Sequence, residues 1–160
     1  MTDIRLMIDD VKFSCRSVGV IIKDNKVLLQ KRVGDAFFAL PGGAIGVTEK
    51  GCDVILRELE EETGEKKAKV IRPLWFVEYM FTFDNKCNHQ YILGYLVDIP
   101  NNSKLLQNDS FMGIEEGKNV YYEWVPLDKL LDTPIKPDYL YDKILNIKDE
   151  YEFICEEQKN

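Results

Sequence analysis

The chain has 160 residues, enough for one domain with a full-sized core, and a single domain over 1–160 is expected. Apolar residues make up 45% and charged residues 31%, an ordinary soluble balance, and no run of 18 apolar residues offers a transmembrane helix. A net charge of −7 argues against sustained contact with a nucleic-acid backbone, so neither a stable nucleic-acid complex nor a membrane partner is expected.

Taken in chain order, the elements alternate between strand and helix without repeats or a linker. Ile4 to Ile8 reads as a short first strand turning at Asp9-Asp10, and Val11 to Ile22 as a second strand in which Val18, Val20 and Ile22 alternate. Asp24-Asn25 marks a hairpin turn before a returning strand from Val27 to Arg32. A helix is predicted over roughly 49–63, with Thr48 as its N-cap and Gly64 as the left-handed residue that ends it. Val70 to Phe83 and His89 to Ile99 read as paired strands around a turn at Asp84-Asn85-Lys86. A polar loop from Pro100 to Asn119, a strand from Val120 to Val125 and a short helix from Pro126 to Leu131 follow. Leu140, Ile144, Ile147 and Tyr151 recur at helical spacing, so a C-terminal helix is predicted from Pro137 to about Cys155.

The N-terminus, MTDIRLMIDDVKF, carries acids where a signal peptide would be basic and then apolar, so none is expected. Cys15, Cys52, Cys87 and Cys155 lie far apart with no Cys-x-x-Cys pair. Free thiols in a reducing cytoplasm are the expectation, and structural zinc is not.

The segment from Gly43 to Glu65 carries the chemistry. It holds six glutamates and an arginine in 23 residues. At about 100° per residue, Glu61 and Glu62 fall roughly 60° and 40° to either side of Glu58, so three carboxylates share one helix face. Like charges so placed destabilise a helix unless something offsets them, and an all-oxygen set suits Mg²⁺ or Mn²⁺. Cys52, Ile55, Leu56 and Leu59 form a separate apolar stripe that would hold the helix on a sheet. Pro41-Gly42-Gly43 upstream allows close backbone approach to a metal or phosphate.

These residues resemble the Nudix box, G-x5-E-x7-R-E-U-x-E-E-x-G-U, where U is a large aliphatic residue. Gly43, Glu49, Arg57, Glu58, Leu59, Glu61, Glu62 and Gly64 match it. Glu65 stands where an aliphatic residue is usual, Gly46 where a glutamate is common and Thr48 where a glycine is common. The resemblance to the Nudix hydrolase family implies an α/β/α sandwich with a mixed central β-sheet. It implies Mg²⁺- or Mn²⁺-dependent cleavage of a diphosphate bond in a nucleoside diphosphate linked to another moiety, with a nucleoside triphosphate as the default. Glu58, Glu61 and Glu62 would be ligands, with the Gly43 carbonyl as a further one. Glu58 and Glu61 would also serve the chemistry, with Arg57 steadying Glu49 or Glu61. Glu49 would act as support or an outer ligand.

The family often recruits another acid from a loop after the box. Here Gly113-Ile114-Glu115-Glu116-Gly117 supplies two, with Glu116 preferred slightly over Glu115. Phe37 and Phe38 hold the place of the family's substrate-side aromatic, and Phe38 is assigned to substrate binding. Tyr79 is assigned to substrate binding from the aromatic run of Trp75, Phe76, Tyr79, Phe81, Phe83 and Tyr91, and His89, the one histidine, is placed at the sheet edge or against a phosphate or base. Trp124 is read as packing the sheet. No secondary signature selects among ADP-sugar, dinucleoside polyphosphate or coenzyme A substrates. A nucleotide-sensing module without catalysis is the alternative, and an isopentenyl diphosphate isomerase would need a cysteine environment that this chain does not match. A homodimer paired through the first strand is consistent with the family.

Overall fold

The computed structural model describes residues 2–158. Three two-residue turns set its hairpins, at Asp9-Asp10, Asp24-Asn25 and Asp84-Asn85, and all six residues take positive φ between 47° and 66°. Asp and Asn tolerate this left-handed conformation, and two such residues in succession match the twist of the flanking strands. The turns join β1 (Arg5–Ile8) to β2 (Val11–Lys23), β2 to β3 (Lys26–Arg32), and β5 (Lys69–Phe83) to β6 (Lys86–Asp98).

The remaining strands are β4 (Gly42–Ala44), β7 (Ser110–Met112), β8 (Val120–Pro126) and β9 (Glu152–Gln158). The path across the sheet runs β7-β8-β3-β2-β6-β5-β9, with β1 and β4 also paired to β2. β2 lies parallel to β6 from Val11 to Ile21, while β5 and β6 are antiparallel, so the sheet is mixed. Helix α1 (Gly51–Thr63) covers one face over Ile21, Leu28, Val97 and Trp124. Helix α2 (Leu140–Leu145) and a 3₁₀ segment at Leu127–Asp132 cover the other, over Val20, Leu29, Trp75 and Ile92. These layers are the α/β/α arrangement that the Nudix resemblance implies. Trp124 packs the sheet as read, its indole N–H donating to the Leu105 carbonyl at 2.8 Å. The exposed strand β1 presents Leu6, Met7 and Ile8 to solvent.

Two expectations are corrected. Helix α1 begins at Gly51 rather than near Glu49, with Lys50 at the N-cap and no side-chain cap, so Thr48 does not serve. Gly51 opens the helix in a tight place: a Cβ there would lie 2.6 Å from the Tyr95 hydroxyl. The C-terminal helix is only six residues long. Beyond it, β9 runs parallel to β5 with Phe76 beside Phe153 and Glu78 beside Cys155. Tyr151, Phe153 and Ile154 favour a pleated surface, and a long open edge of β5 lets that preference override the helical spacing. The polar loop also contains a 3₁₀ turn at Lys104–Leu106 and β7.

The fork in the sheet positions the site. β2 and β3 pair only at Ile22–Val27 and Lys23–Lys26, beside their turn, and then diverge. Gly42–Ala44 pairs with Arg16–Val18 on one branch, and Ala39 bridges Gln30 on the other. The glycine loop therefore spans the opening, and the acidic edge of α1 lies over it.

Candidate active site

Glu58 and Glu62 are buried on the inner edge of α1, at 8% and 7% exposure, although both are carboxylates. Gly43 lies directly beneath, and a Cβ at that position would overlap the Glu58 carboxyl. Only glycine lets the backbone approach this closely. Burial, and then the neighbouring Glu62 charge, push the Glu58 carboxyl up to about 7. Tyr122, from β8, donates its hydroxyl to Glu62 Oε2 at 2.5 Å, and its own pKa is raised by burial and by Glu62.

Arg57 organises the outer edge. Its Nε and Nη2 donate to the two oxygens of Glu49 at 2.7 and 2.9 Å, a bidentate fork. Nη1 reaches Glu58 and Glu61, each at 3.1 Å. Glu49 in turn accepts from the Gly46 N–H at 3.1 Å, which ties the loop to the helix. The Arg57 hydrogen bond holds the Glu49 carboxyl below its ordinary value. Glu61 is the most exposed of the three aligned carboxylates, and Glu60 points to solvent.

The loop before β8 brings a cation to the cluster. Lys118 Nζ lies 3.1 Å from Glu115 and 3.6 Å from Glu62. Burial draws the Lys118 pKa down, but Glu115, Glu62 and Glu58 outweigh it and hold the ammonium charged. It is thus Glu115 that the structure links to the buried carboxylates, through Lys118. Glu116, the preferred loop acid, is exposed in the turn beside Gly117.

The aromatic assignments divide by strand alternation. Phe38 is in the core at 7% exposure, bridged to Ile135, with the Lys31 ammonium 4.8 Å from its ring centre; its neighbour Phe37 faces the cleft instead. Tyr79 is also buried, its hydroxyl donating to Gln158 at 2.6 Å, and it borders a separate aromatic cavity rather than the carboxylates. His89 packs edge-on against Phe13 and Tyr91 at 5.5 and 5.2 Å and does not line the cleft. Its neighbour Gln90 points to the other face, where the aromatic cavity lies.

The cleft holds about 340 Å³ and is walled by both charge signs: Glu58 and Glu62 on one side, Arg5, Arg16, Arg32 and Lys118 around it. Arg16 was not singled out by the sequence, where it reads as one more polar position in an alternating strand. Gln30 Oε1 also lines the cleft and is buried with no hydrogen-bond partner among the described residues.

A hard divalent cation fits this donor set. Glu58 and Glu62 supply adjacent buried oxygens beside an open glycine backbone, and their mutual repulsion favours a shared positive charge. Among the described residues no three carboxylates converge on one point as positioned. Arg57 lies 3.1 Å from Glu61, whose side chain is 47% exposed, and Lys118 lies 3.6 Å from Glu62.

The site thus consists of a mixed sheet forked beneath a helix that carries paired buried carboxylates. The chain belongs to the Nudix family: the NUDIX domain matches residues 14–143. A stretch of 49 residues is 49% identical to an ADP-ribose pyrophosphatase of Methanocaldococcus jannaschii, and the match covers 29% of each chain. The chain thus spans less than a third of that relative's length. The fold is similar to an ADP-ribose pyrophosphatase from Streptococcus suis, with a TM-score of 0.60 at 16% identity, covering 89% of this chain and 98% of that one. It is similar to a MutT protein from Bacillus halodurans, with a TM-score of 0.61 at 16% identity over 89% of each chain. A UDP-X diphosphatase gives a TM-score of 0.58 at 21% identity, covering 88% of this chain and 66% of that one. Among the described residues no helix is long and apolar enough to cross a membrane.

Proposed function

We propose that the chain is a divalent-metal-dependent pyrophosphohydrolase that cleaves the diphosphate bond of a nucleoside diphosphate joined to a second moiety. The observation that carries this reading is the contact of Gly43 with Glu58, beside Glu62, at the mouth of a cleft rimmed by arginines. The local identity to an ADP-ribose pyrophosphatase favours ADP-ribose, in which that moiety is a sugar, over the nucleoside triphosphate default. Free cysteines among the described residues support a reducing, cytoplasmic setting.

Glu58, Glu61 and Glu62, with the Gly43 carbonyl, would hold Mg²⁺ or Mn²⁺. When bound, such an ion neutralises the diphosphate oxygens and makes the phosphorus centre open to attack by water. Arg57 fixes the rotamers of Glu49, Glu58 and Glu61, as an orienting partner of ligands does. The rim arginines draw the anionic substrate in against the acidic helix. Glu115, ion-paired with Lys118, would hold a water for attack, with Glu116 one residue further along the same turn as the other candidate.

The test is a phosphate-ester product assay with and without Mg²⁺ over ADP-ribose, nucleoside triphosphates, dinucleoside polyphosphates and coenzyme A. Turnover of a nucleoside diphosphate derivative that EDTA abolishes is expected. Tight ligand binding with no turnover at any metal concentration would replace this reading with a nucleotide-sensing module.

A further inference from the structure

The acidic cleft is not the only cavity at the fork. A second, of about 630 Å³, is lined by Phe37, Tyr79, Phe81 and Phe83 with Gln90 and Lys136. A narrow third space of about 70 Å³ lies between them, bordered by Arg16, Gln90, Lys136 and Tyr139. The three share walls: Arg16 and Ala39 border the cleft and the narrow space, Gln90 and Lys136 the narrow space and the aromatic cavity, and Phe37 the cleft and the aromatic cavity.

Arg16 stands at the junction. Its side chain, half-buried on β2, forms no salt bridge or hydrogen bond with any described residue, although Arg5 repels it and Glu58 and Glu62 attract it at longer range. A guanidinium withdrawn from water is costly without a partner, and its planar donor fork matches phosphate oxygens. Beyond it the chemistry changes to aromatic. Phe83 is 72% exposed and Phe37 is 47% exposed, although both line a cavity. Lys136 Nζ lies 5.1 Å from the Phe37 ring centre and holds that ring at the shared wall. Exposed faces of this kind, in a cavity of this size, suit a planar heterocycle.

We infer that the nucleoside half of the substrate passes from the carboxylates along Arg16 into this second cavity, with Arg16 on the phosphate nearest the nucleoside and the base stacked on Phe37 and Phe83. The inference rests on the hydrolase reading of the same cleft and deepens it. It makes Arg16 a binding residue for the diphosphate and makes the two phenylalanines the determinants of whether a base is required.

Steady-state kinetics on the nucleoside diphosphate derivative that the wild type turns over will test this. In Arg16→Gln, KM is expected to rise at least about tenfold with kcat within about threefold, the size expected for a lost hydrogen bond to a charged group. Arg16→Lys is expected to recover part of that loss, and thermal melts of both variants report whether they fold. Phe37→Ala and Phe83→Ala are expected to raise KM for the nucleotide by about three- to tenfold, and to raise it less for a sugar pyrophosphate without a base. An unchanged KM in a folded Arg16→Gln protein, or equal effects of the phenylalanine variants on both substrates, overturns the inference and leaves the hydrolase reading intact. If the wild type hydrolyses nothing, the hydrolase reading fails. Equilibrium titration of wild type and Arg16→Gln with ADP-ribose then decides the subsite, and equal affinities overturn it.

Discussion

The Arg57 guanidinium and the Glu49 carboxylate meet as a two-point fork, Nε to Oε2 at 2.7 Å and Nη2 to Oε1 at 2.9 Å, across eight residues of sequence. One partner is on α1 and the other on the loop that leads into it. The fork therefore fixes the loop carrying Gly43 against the helix carrying Glu58. Lysine has no second nitrogen with which to reproduce it. Arg57→Lys is expected to lower metal-dependent turnover by about 10- to 100-fold, the cost of losing an orienting partner of the ligands, while the fold survives. The check is kcat together with a circular dichroism melt.

The same pair gives a pH dependence with a definite sign. Arg57 holds the Glu49 carboxyl below its unfolded value. The stabilisation is therefore present above about pH 4.3, the unfolded glutamate value, and is lost as pH falls through the lower folded value. Glu49→Gln removes the ionised partner. The melting-temperature gap between wild type and Glu49→Gln is expected to narrow steadily below about pH 4. A gap that stays constant down to pH 2 contradicts the assignment.

Lys118 supplies positive charge beside the buried carboxylates that are proposed to bind metal. Its ammonium lies 3.6 Å from Glu62 and 3.1 Å from Glu115. Lys118→Met is expected to tighten Mn²⁺ binding by several-fold, since an ion pair of this exposure is worth up to about 1 kcal/mol. The metal-free protein is expected to melt earlier, because Glu58 and Glu62 then face each other without that cation. Calorimetric titration with Mn²⁺ checks the first effect and a melt in EDTA the second. Weaker Mn²⁺ binding would instead make Lys118 a support of the site.

Much of this site is local in the chain, and that is why it was readable. Glu58, Glu61 and Glu62 share a face because helix geometry alone puts them there, and Gly64 closes the helix with φ 81° as its position requires. What depends on distant partners was not readable. β9 exists because β5, some 75 residues earlier, leaves an edge open, and no window of local periodicity contains that fact. Phe37 and Phe38 are adjacent, and only the bridge from Phe38 to Ile135 decides which ring turns inward. Arg16 becomes meaningful only once the fork between β2 and β3 places it at the junction of two cavities. The Glu115–Lys118 link depends on a turn conformation that two neighbouring glutamates do not reveal.

Lys143 and Glu152 hold the two halves of the C-terminus together. Lys143 Nζ on α2 lies 2.9 Å from Glu152 Oε1 at the start of β9, and both side chains are 15% exposed. The Glu152 hydrogen bond raises the Lys143 pKa. Burial pushes the Glu152 pKa up, but Lys143 and Lys148 outweigh it and bring it below normal. The raised lysine stabilises fully below its unfolded value of about 10.4, and this is lost as pH rises through the folded one; the lowered glutamate stabilises above about 4.3, and this is lost as pH falls through its folded value. The pair thus works between those limits. Lys143→Met is expected to speed amide exchange in β9 at pH 7, with an effect that shrinks as pH falls through the lowered folded value of Glu152. Hydrogen exchange of Phe153 to Glu156 reads this directly.

The overlap between a Cβ at Gly51 and the Tyr95 hydroxyl yields a rescue experiment. The built position lies 2.6 Å from the hydroxyl oxygen, 3.0 Å from Leu93 Cδ2 and 3.3 Å from a Tyr95 ring carbon. Gly51→Ala alone must displace a buried tyrosine beneath the first turn of α1, at a cost of about 1–3 kcal/mol. That is expected to lower the melting temperature by several degrees, because a 1 kcal/mol loss shifts a domain of this size by about 2–4 °C. Tyr95→Phe removes the oxygen that the methyl group meets. The Gly51→Ala, Tyr95→Phe double variant is therefore expected to be more stable than Gly51→Ala alone. The non-additivity is read from four melts in a double-mutant cycle, and simple additivity would place the constraint on Leu93 or on the helix backbone instead.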